Sequence, residues 1–167
     1  AHRRENWGQP IRLIAAAVAA LLRQHQDLIV VWPMHPNPAV RSDIQAAFSA
    51  LTHDCRTRLC LTEPLNYPAL IGLLAHAHFT LTDSGGIQEE ASALRKPVLI
   101  TRDSTERQEL VDAGGARLVG TDPHTIVHQA SLLLQDPAIY QAMQLNQSPF
   151  GDGRSAQRIA DILSRTH

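Results

Sequence analysis

Apolar residues in this chain fall into short unbroken runs separated by longer stretches in which they recur every three or four positions. The runs at 28–32, 58–62, 79–82, 97–100 and 117–119 predict strands. Their lack of in–out alternation predicts strands covered on both faces. Helical spacing is clearest at 10–24, where Ile11, Leu13, Ile14, Val18, Leu21 and Leu22 share one face and Pro10 sits near the first turn. A weaker amphipathic helix is predicted at 38–51, and further helices at 67–75, 87–94, 106–113, 123–134, 137–145 and 153–165. The last leaves Ile159, Ile162 and Leu163 on an apolar face with no predicted partner. Buried strands that each lead into a helix describe a doubly wound, Rossmann-like parallel α/β sheet. No Gly/Ser-rich linker, repeat or low-complexity tract divides the 167 residues, so one domain is expected over 1–167.

Composition narrows the partners. Lys plus Arg number 15 against 16 Asp plus Glu, a formal net charge of −1 with 44% of residues hydrophobic. That balance argues against nucleic-acid or polybasic membrane binding, both of which need concentrated cationic charge. The apolar stretch between Arg12 and Arg23 is too short to span a bilayer. Nothing resembles a secretory leader, and two cysteines make no disulfide scaffold, so a cytoplasmic location is expected. Cys55 reads as a loop residue and Cys60 as a core residue. The chain opens without Met on the polar cluster Ala1-His2-Arg3-Arg4-Glu5-Asn6, which suggests a piece of a longer protein.

In open α/β sheets, ligands gather where strands end and helices begin. Three such junctions here are polar: residues 2–6, 83–90 and 101–107. At the second, Ser84, Gly85 and Gly86 offer a hydroxyl and two unobstructed backbone N–H groups at a helix N-terminus, an arrangement suited to a phosphate. Glu90, further along the same helix, is placed to accept from ribose hydroxyls. The plain alternative is that Asp83 and Ser84 only cap the helix. Neither the dinucleotide nor the P-loop glycine spacing is present. Arg107, at the third junction, could pair bidentately with a diphosphate, or simply with Glu106 or Glu109. His2 lies beside cations that favour its neutral form, which suits proton transfer or phosphate contact. His35, between Met34 and Pro36, faces either a cleft or nothing functional. His76 and His78 lack a third ligand and read as helix-end residues; no metal and no cofactor are expected.

Taken in order, His2-Arg-Arg-Glu-Asn, His35-Pro-Asn-Pro, Glu63-Pro-Leu-Asn-Tyr67, Thr82-Asp-Ser-Gly-Gly-Ile-Gln-Glu-Glu90, Arg102-Asp-Ser-Thr-Glu-Arg107, Leu118-Val-Gly-Thr-Asp122 and Ser148-Pro-Phe-Gly-Asp-Gly153 closely resemble the bacterial non-hydrolysing UDP-N-acetylglucosamine 2-epimerases. The resemblance implies the C-terminal, UDP-binding half of a two-domain GT-B fold, without its N-terminal domain and without the strand that precedes His2. It implies interconversion of UDP-GlcNAc and UDP-ManNAc through loss and re-addition of UDP, with the acid/base carboxylates in the other domain. Ser84, Gly85, Gly86 and Arg107 would then hold the diphosphate, Glu90 the ribose, and Leu65 and Leu70 the base. His2 matches the catalytic-site histidine; Arg3 and His35 match positions contacting a second, activating UDP-GlcNAc. A homodimer and a role in cell-surface polysaccharide synthesis go with the family. Four positions depart from its pattern: Leu65 for Gln, Leu70 for Phe, Arg95 for Gly and Gln108 for Pro. A hydrolysing 2-epimerase, a GT-B glycosyltransferase and a non-catalytic nucleotide-binding module remain open alternatives.

Overall fold

The computed structural model describes residues 3–165. After a 3₁₀ turn at Arg4–Asn6, the order is α1 (Gln9–Gln24), β1 (Val30–Pro33), α2 (Pro38–Phe48), α3 (His53–Thr57), β2 (Leu59–Thr62), α4 (Tyr67–His76), β3 (Thr80–Thr82), α5 (Gly85–Ala93), β4 (Val98–Ile100), α6 (Gln108–Asp112), β5 (Ala116–Leu118), α7 (Pro123–Gln135), α8 (Pro137–Met143) and α9 (Ser155–Arg165). Four helices start on the same local chemistry. Asn37, Asn66, Asp122 and Asp136 each accept a hydrogen bond from a first-turn amide, and each is followed within two residues by Pro. The side chain satisfies an amide that the helix cannot, and Pro needs no partner there.

All strand pairs are parallel: Val30 lies opposite Leu59, Thr80 opposite Val98, and Val98 opposite Ala116. β4 sits at the centre of the larger group and is fully buried. Its Leu99 joins a core with α1 (Ile14, Val18), α2 (Val40, Ile44) and α7 (Ile126, Leu133). Val98 and Ile100 face the other way, onto Ala91 of α5 and Leu110 of α6. Helices on both faces are why the strand runs show no alternation.

The expected single sheet is divided. β1 and β2 form one two-stranded sheet, and β3, β4 and β5 another, with no strand bridging β1 and β3 among the described residues. Two elements went unpredicted, the 3₁₀ turn and α3, whose N-cap Thr52 accepts from the Cys55 amide. The reading of the cysteines needs correcting. Cys55 is buried in α3, its Sγ 3.6 Å from the Leu22 carbonyl, while Cys60 is exposed. Leu59 and Leu61 pack on the core beneath α1 and α2, and pleating turns Cys60 to the opposite, less covered face of the outermost strand. No helix among the described residues is long and apolar enough to cross a membrane.

The 3₁₀ turn is held at the carboxyl ends of β3 and β4. Arg102 donates to Glu5 at 2.7 Å and to both oxygens of Glu106 at 2.8 and 3.1 Å. The guanidinium pulls the Glu106 carboxyl down to about 2 from 4.5. Because the folded value lies below the ordinary one, this contribution to stability is present above about pH 4.5 and is lost as pH falls toward 2. The urea midpoint of the wild-type chain should therefore fall more steeply across that window than the midpoint of Glu106→Gln.

At the other end of α5 the chain closes with Lys96 N–H donating to the Ala91 carbonyl and Arg95 N–H to that of Ser92. This closure needs a left-handed residue, and Arg95 adopts φ 58°, alone among the described non-glycine residues. Arg95→Gly should raise stability by about 1 kcal/mol, read as a thermal midpoint roughly 2–4 °C higher.

Candidate functional site

β3 ends at Thr82, and the next residue disappears from solvent: Asp83 is 0% exposed. Its Oδ2 accepts from the Arg3 backbone N–H at 2.8 Å and from Asn6 Nδ2 at 3.0 Å. Asn6, itself buried, also donates to the Thr101 carbonyl at the end of β4. Asp83 therefore does not cap the helix; it ties the 3₁₀ turn to two strand ends. Ser84 is the N-cap of α5, and its Oγ stands 3.5 Å from the Ile87 amide nitrogen, the long limit of a hydrogen bond.

Gly85 and Gly86 then open α5 in different surroundings. Gly85 is buried because the Arg107 guanidinium lies against it: a methyl group there would sit 2.9 Å from Arg107 Cζ. Gly86 is exposed, and a methyl there would meet nothing within 4 Å. The turn thus joins a hydroxyl, backbone N–H groups at a helix N-terminus and a guanidinium. That combination favours an oxyanion, especially one with two phosphates to span the turn and the arginine.

Arg107 is the residue before α6; Glu106, one of its two sequence candidates, lies at the outer limit of an ion pair, but the tight partner is a residue the sequence reading did not name. Its Nε donates to Glu89 Oε1 at 2.7 Å, with Nη2 2.6 Å from the same oxygen; Glu106 is 4.0 Å away, and no pair with Glu109 occurs. Glu89 follows Gly85 by four residues, so it rises over the same face of α5. That spacing was available in the sequence and could have identified it. Arg107 is braced from behind as well. Its N–H donates to Thr105 Oγ1, which in turn donates to the buried Gln88.

Glu90 points toward α4, where Tyr67 Oη donates to its Oε1 at 2.8 Å. That hydrogen bond pushes the Tyr67 hydroxyl above its ordinary value. Nothing in the local sequence announces this pairing, since 23 positions separate the two residues. Leu65, Leu70 and His35 share a half-buried wall with Ile87, the residue after Gly86. His35 is fixed by its loop: its Nδ1 accepts from the Asn37 amide, and its carbonyl accepts from Arg41 Nε. Arg41 also grips Glu63, which holds that carboxyl below its ordinary value. Trp7 approaches the His35 ring, centroids 6.2 Å apart. Arg3 sits behind the phosphate turn with its guanidinium 3.9 Å from Glu106.

The structure therefore gathers Ser84, Gly85, Gly86 and Arg107 around one turn. Glu90 lies one turn on, and Leu65, Leu70 and His35 along an adjoining wall. His2 lies outside the described residues. His76 follows its reading as a helix-end residue, while His78 lies past the end of α4, in the bend before β3. His76 closes α4 with Nδ1 2.8 Å from the Gly72 carbonyl, and His78 stacks on Tyr140. No group of three or more His, Cys, Asp or Glu among the described residues is placed to hold a metal.

Comparison with known proteins agrees with this geometry. Residues 1–164 match the family model described as UDP-N-acetylglucosamine 2-epimerase. A probable UDP-N-acetylglucosamine 2-epimerase from Ralstonia nicotianae is 45% identical over 97% of this chain, which covers 42% of that protein. The crystal structure of UDP-GlcNAc 2-epimerase from Neisseria meningitidis bound to UDP-GlcNAc superposes with a TM-score of 0.88 at 38% identity, over 98% of this chain and 43% of the other. The S. aureus MnaA–UDP co-structure also reaches 0.88, at 41% identity over 97% and 43%. The chain spans about two fifths of the length of these relatives. A match along almost all of its residues, carried by a parallel α/β fold and an anion-ready turn, makes this chain a member of the UDP-N-acetylglucosamine 2-epimerase family.

Proposed function

We propose that this chain is the C-terminal, UDP-binding half of a non-hydrolysing enzyme that interconverts UDP-GlcNAc and UDP-ManNAc. The observation that carries the reading is the turn at the N-terminus of α5, with Arg107 laid over Gly85 and open space above Gly86. Two of the structurally similar proteins are described with UDP-GlcNAc or UDP bound, which supports the same ligand class here.

In the proposed reaction a base removes the C2 proton and the C1–oxygen bond breaks. The bonding pair leaves with UDP, and 2-acetamidoglucal remains. Reprotonation of C2 from the other face and return of UDP to C1 complete the epimerisation. The demand on this half is to hold a diphosphate whose charge grows as the bond breaks. Backbone N–H groups and a guanidinium already in place meet that demand without reorganising water. Ser84 Oγ and the amides of Gly85 and Gly86 contact the phosphates, and Arg107 exchanges the Glu89 carboxylate for a phosphate oxygen. Glu90, oriented by Tyr67, takes the ribose hydroxyls, and Leu65 and Leu70 offer the base an apolar wall. His2 stands at the departing phosphate; Arg3 and His35 contact a second UDP-GlcNAc that activates the enzyme. The proton-transfer carboxylates lie in the other domain of a longer chain. The exposed Ile159, Ile162 and Leu163 of α9 fit a helix that packs across to it. A homodimer belongs to the same reading.

Calorimetric titration tests it directly. UDP should bind the chain, and Arg107→Ala or Ser84→Ala should weaken binding about tenfold or more, the range for losing a hydrogen bond to a charged group. Equal affinities in all three would overturn the reading. The two glycines should separate. Gly86→Ala leaves the thermal midpoint unchanged or slightly raised but weakens UDP binding, because only the ligand needs that space. Gly85→Ala lowers both, because its methyl displaces Arg107. Incubated alone with UDP-GlcNAc, the chain should yield no UDP-ManNAc by NMR.

A further inference from the structure

Two consecutive residues of α5 hold Arg107, and they hold different parts of it. Gln88, buried in the fold, accepts from Thr105 Oγ1, and that hydroxyl accepts the Arg107 backbone N–H. Glu89 takes the guanidinium itself, with Nε 2.7 Å and Nη2 2.6 Å from a single carboxylate oxygen, Oε1. The first contact fixes where the Arg107 backbone starts; the second decides only where its charge rests. The guanidinium also lies along Gly85, where a methyl group would stand 2.9, 3.0 and 3.2 Å from Cζ, Nη1 and Nε. Glu89 follows Gly85 by one helical turn, so α5 raises its carboxylate beside the amides that open the helix.

Glu106 does not share this task. It stands 4.0 Å from Arg107 Nη1, and both of its oxygens already accept from Arg102 at 2.8 and 3.1 Å. The Glu89 pair, in contrast, reaches solvent from both sides, with 31% of the Arg107 side chain and 43% of the Glu89 side chain exposed. A pair so placed gains little over water, and its carboxylate is readily rehydrated once released. The Nε–Nη2 edge that rests on Glu89 is also the fork that a guanidinium offers to a phosphate. Glu89 and an incoming phosphate therefore compete for the same two donors.

We propose that Glu89 is a resident counter-ion for Arg107, which occupies the fork a diphosphate uses and so limits how tightly that ligand is held. The inference rests on the diphosphate reading of the turn and adds a residue to it. Glu89 has two effects, and competition is the larger. Its loss removes one guide for the guanidinium, but Gln88 and Thr105 still fix the Arg107 backbone and Gly85 still leaves the side chain room. Its presence means that a phosphate must displace it and then lie near its negative charge. Glu89 is thus a positioning residue acting through Arg107. Removing its charge tightens binding, where removing Arg107 weakens it.

The test titrates UDP by calorimetry into the wild-type chain, Glu89→Gln, Arg107→Ala and the double variant. Glu89→Gln should bind UDP about threefold or more tighter than wild type, the scale of a partly exposed ion pair. In the Arg107→Ala background the same substitution should change affinity much less, since the cycle isolates what Glu89 does through Arg107. Equal or weaker binding by Glu89→Gln overturns the proposal. So does a gain that persists undiminished without Arg107, which would make Glu89 only a nearby charge. If wild type and every variant fail to bind UDP, the diphosphate reading itself fails and takes this proposal with it, a pattern distinct from the other two. Nitrogen-15 NMR of the ligand-free proteins supplies a readout apart from affinity. The Arg107 Nε–H should exchange with water about threefold or more faster in Glu89→Gln than in wild type, again on the scale of that pair. Equal exchange rates overturn the proposal.

Discussion

The buried carboxylate of Asp83 is the contact on which the rest of this site depends. A carboxylate wholly removed from water is costly unless its oxygens are given strong donors. Here those donors are the Arg3 backbone N–H and the Asn6 amide, both from the short turn that precedes α1. Asn6 spends its remaining reach on the Thr101 carbonyl, so one interaction spans the ends of β3 and β4 and the start of the chain. Because Asp83 is the residue immediately before the N-cap, holding it still also sets the direction in which Ser84, Gly85 and Gly86 open. The turn that opens α5 owes its orientation to this buried neighbour.

Charge is distributed around that anchor by distance from solvent. Asp83 accepts from the Arg3 backbone N–H and the Asn6 amide in the interior. Arg102, with a side chain only 9% exposed, is shared between Glu5 and Glu106 at the surface. Arg107 is the partly exposed cation, and it rests on Glu89. An arginine held by partly exposed carboxylates is weakly retained, since such pairs are worth little in water. In the proposed reading a diphosphate would supply more charge and a bidentate geometry at Arg107, whereas the better-covered Arg102 keeps its own partners. The geometry thus separates an arginine that builds the fold from one that is available to a ligand, though only five positions divide them.

This ordering explains what the sequence disclosed and what it withheld. Strands β1 to β5 and all the longer helices were legible because short unbroken apolar runs mark the strands, although only β4 is buried along its whole length, and because Asx–Pro starts are local chemistry. The strand-to-helix turn at Ser84-Gly85-Gly86 was legible for the same reason: it needs no distant residue to be recognised. Contacts across the fold were not legible. Asp83 read as a possible cap because its partners lie about eighty positions away, and Tyr67 could not be assigned to Glu90 from spacing. Cys60 was misplaced because its run of apolar neighbours conceals which face of an outer strand it occupies.

The division of the sheet follows from the same logic applied to the backbone. A parallel strand cannot satisfy its edge by itself; it needs a neighbour on each side or water. β4 has both neighbours and is the most buried strand, while β1 and β3 each have one and face the same groove. α1 and α7 pack together on one face and hold the two halves in a common core. The division leaves one edge of β1 and one of β3 toward the groove. Asp83 belongs to β3's end, and Arg3 bonds to it through its backbone N–H. The bond between them lies at the base of the turn that opens α5.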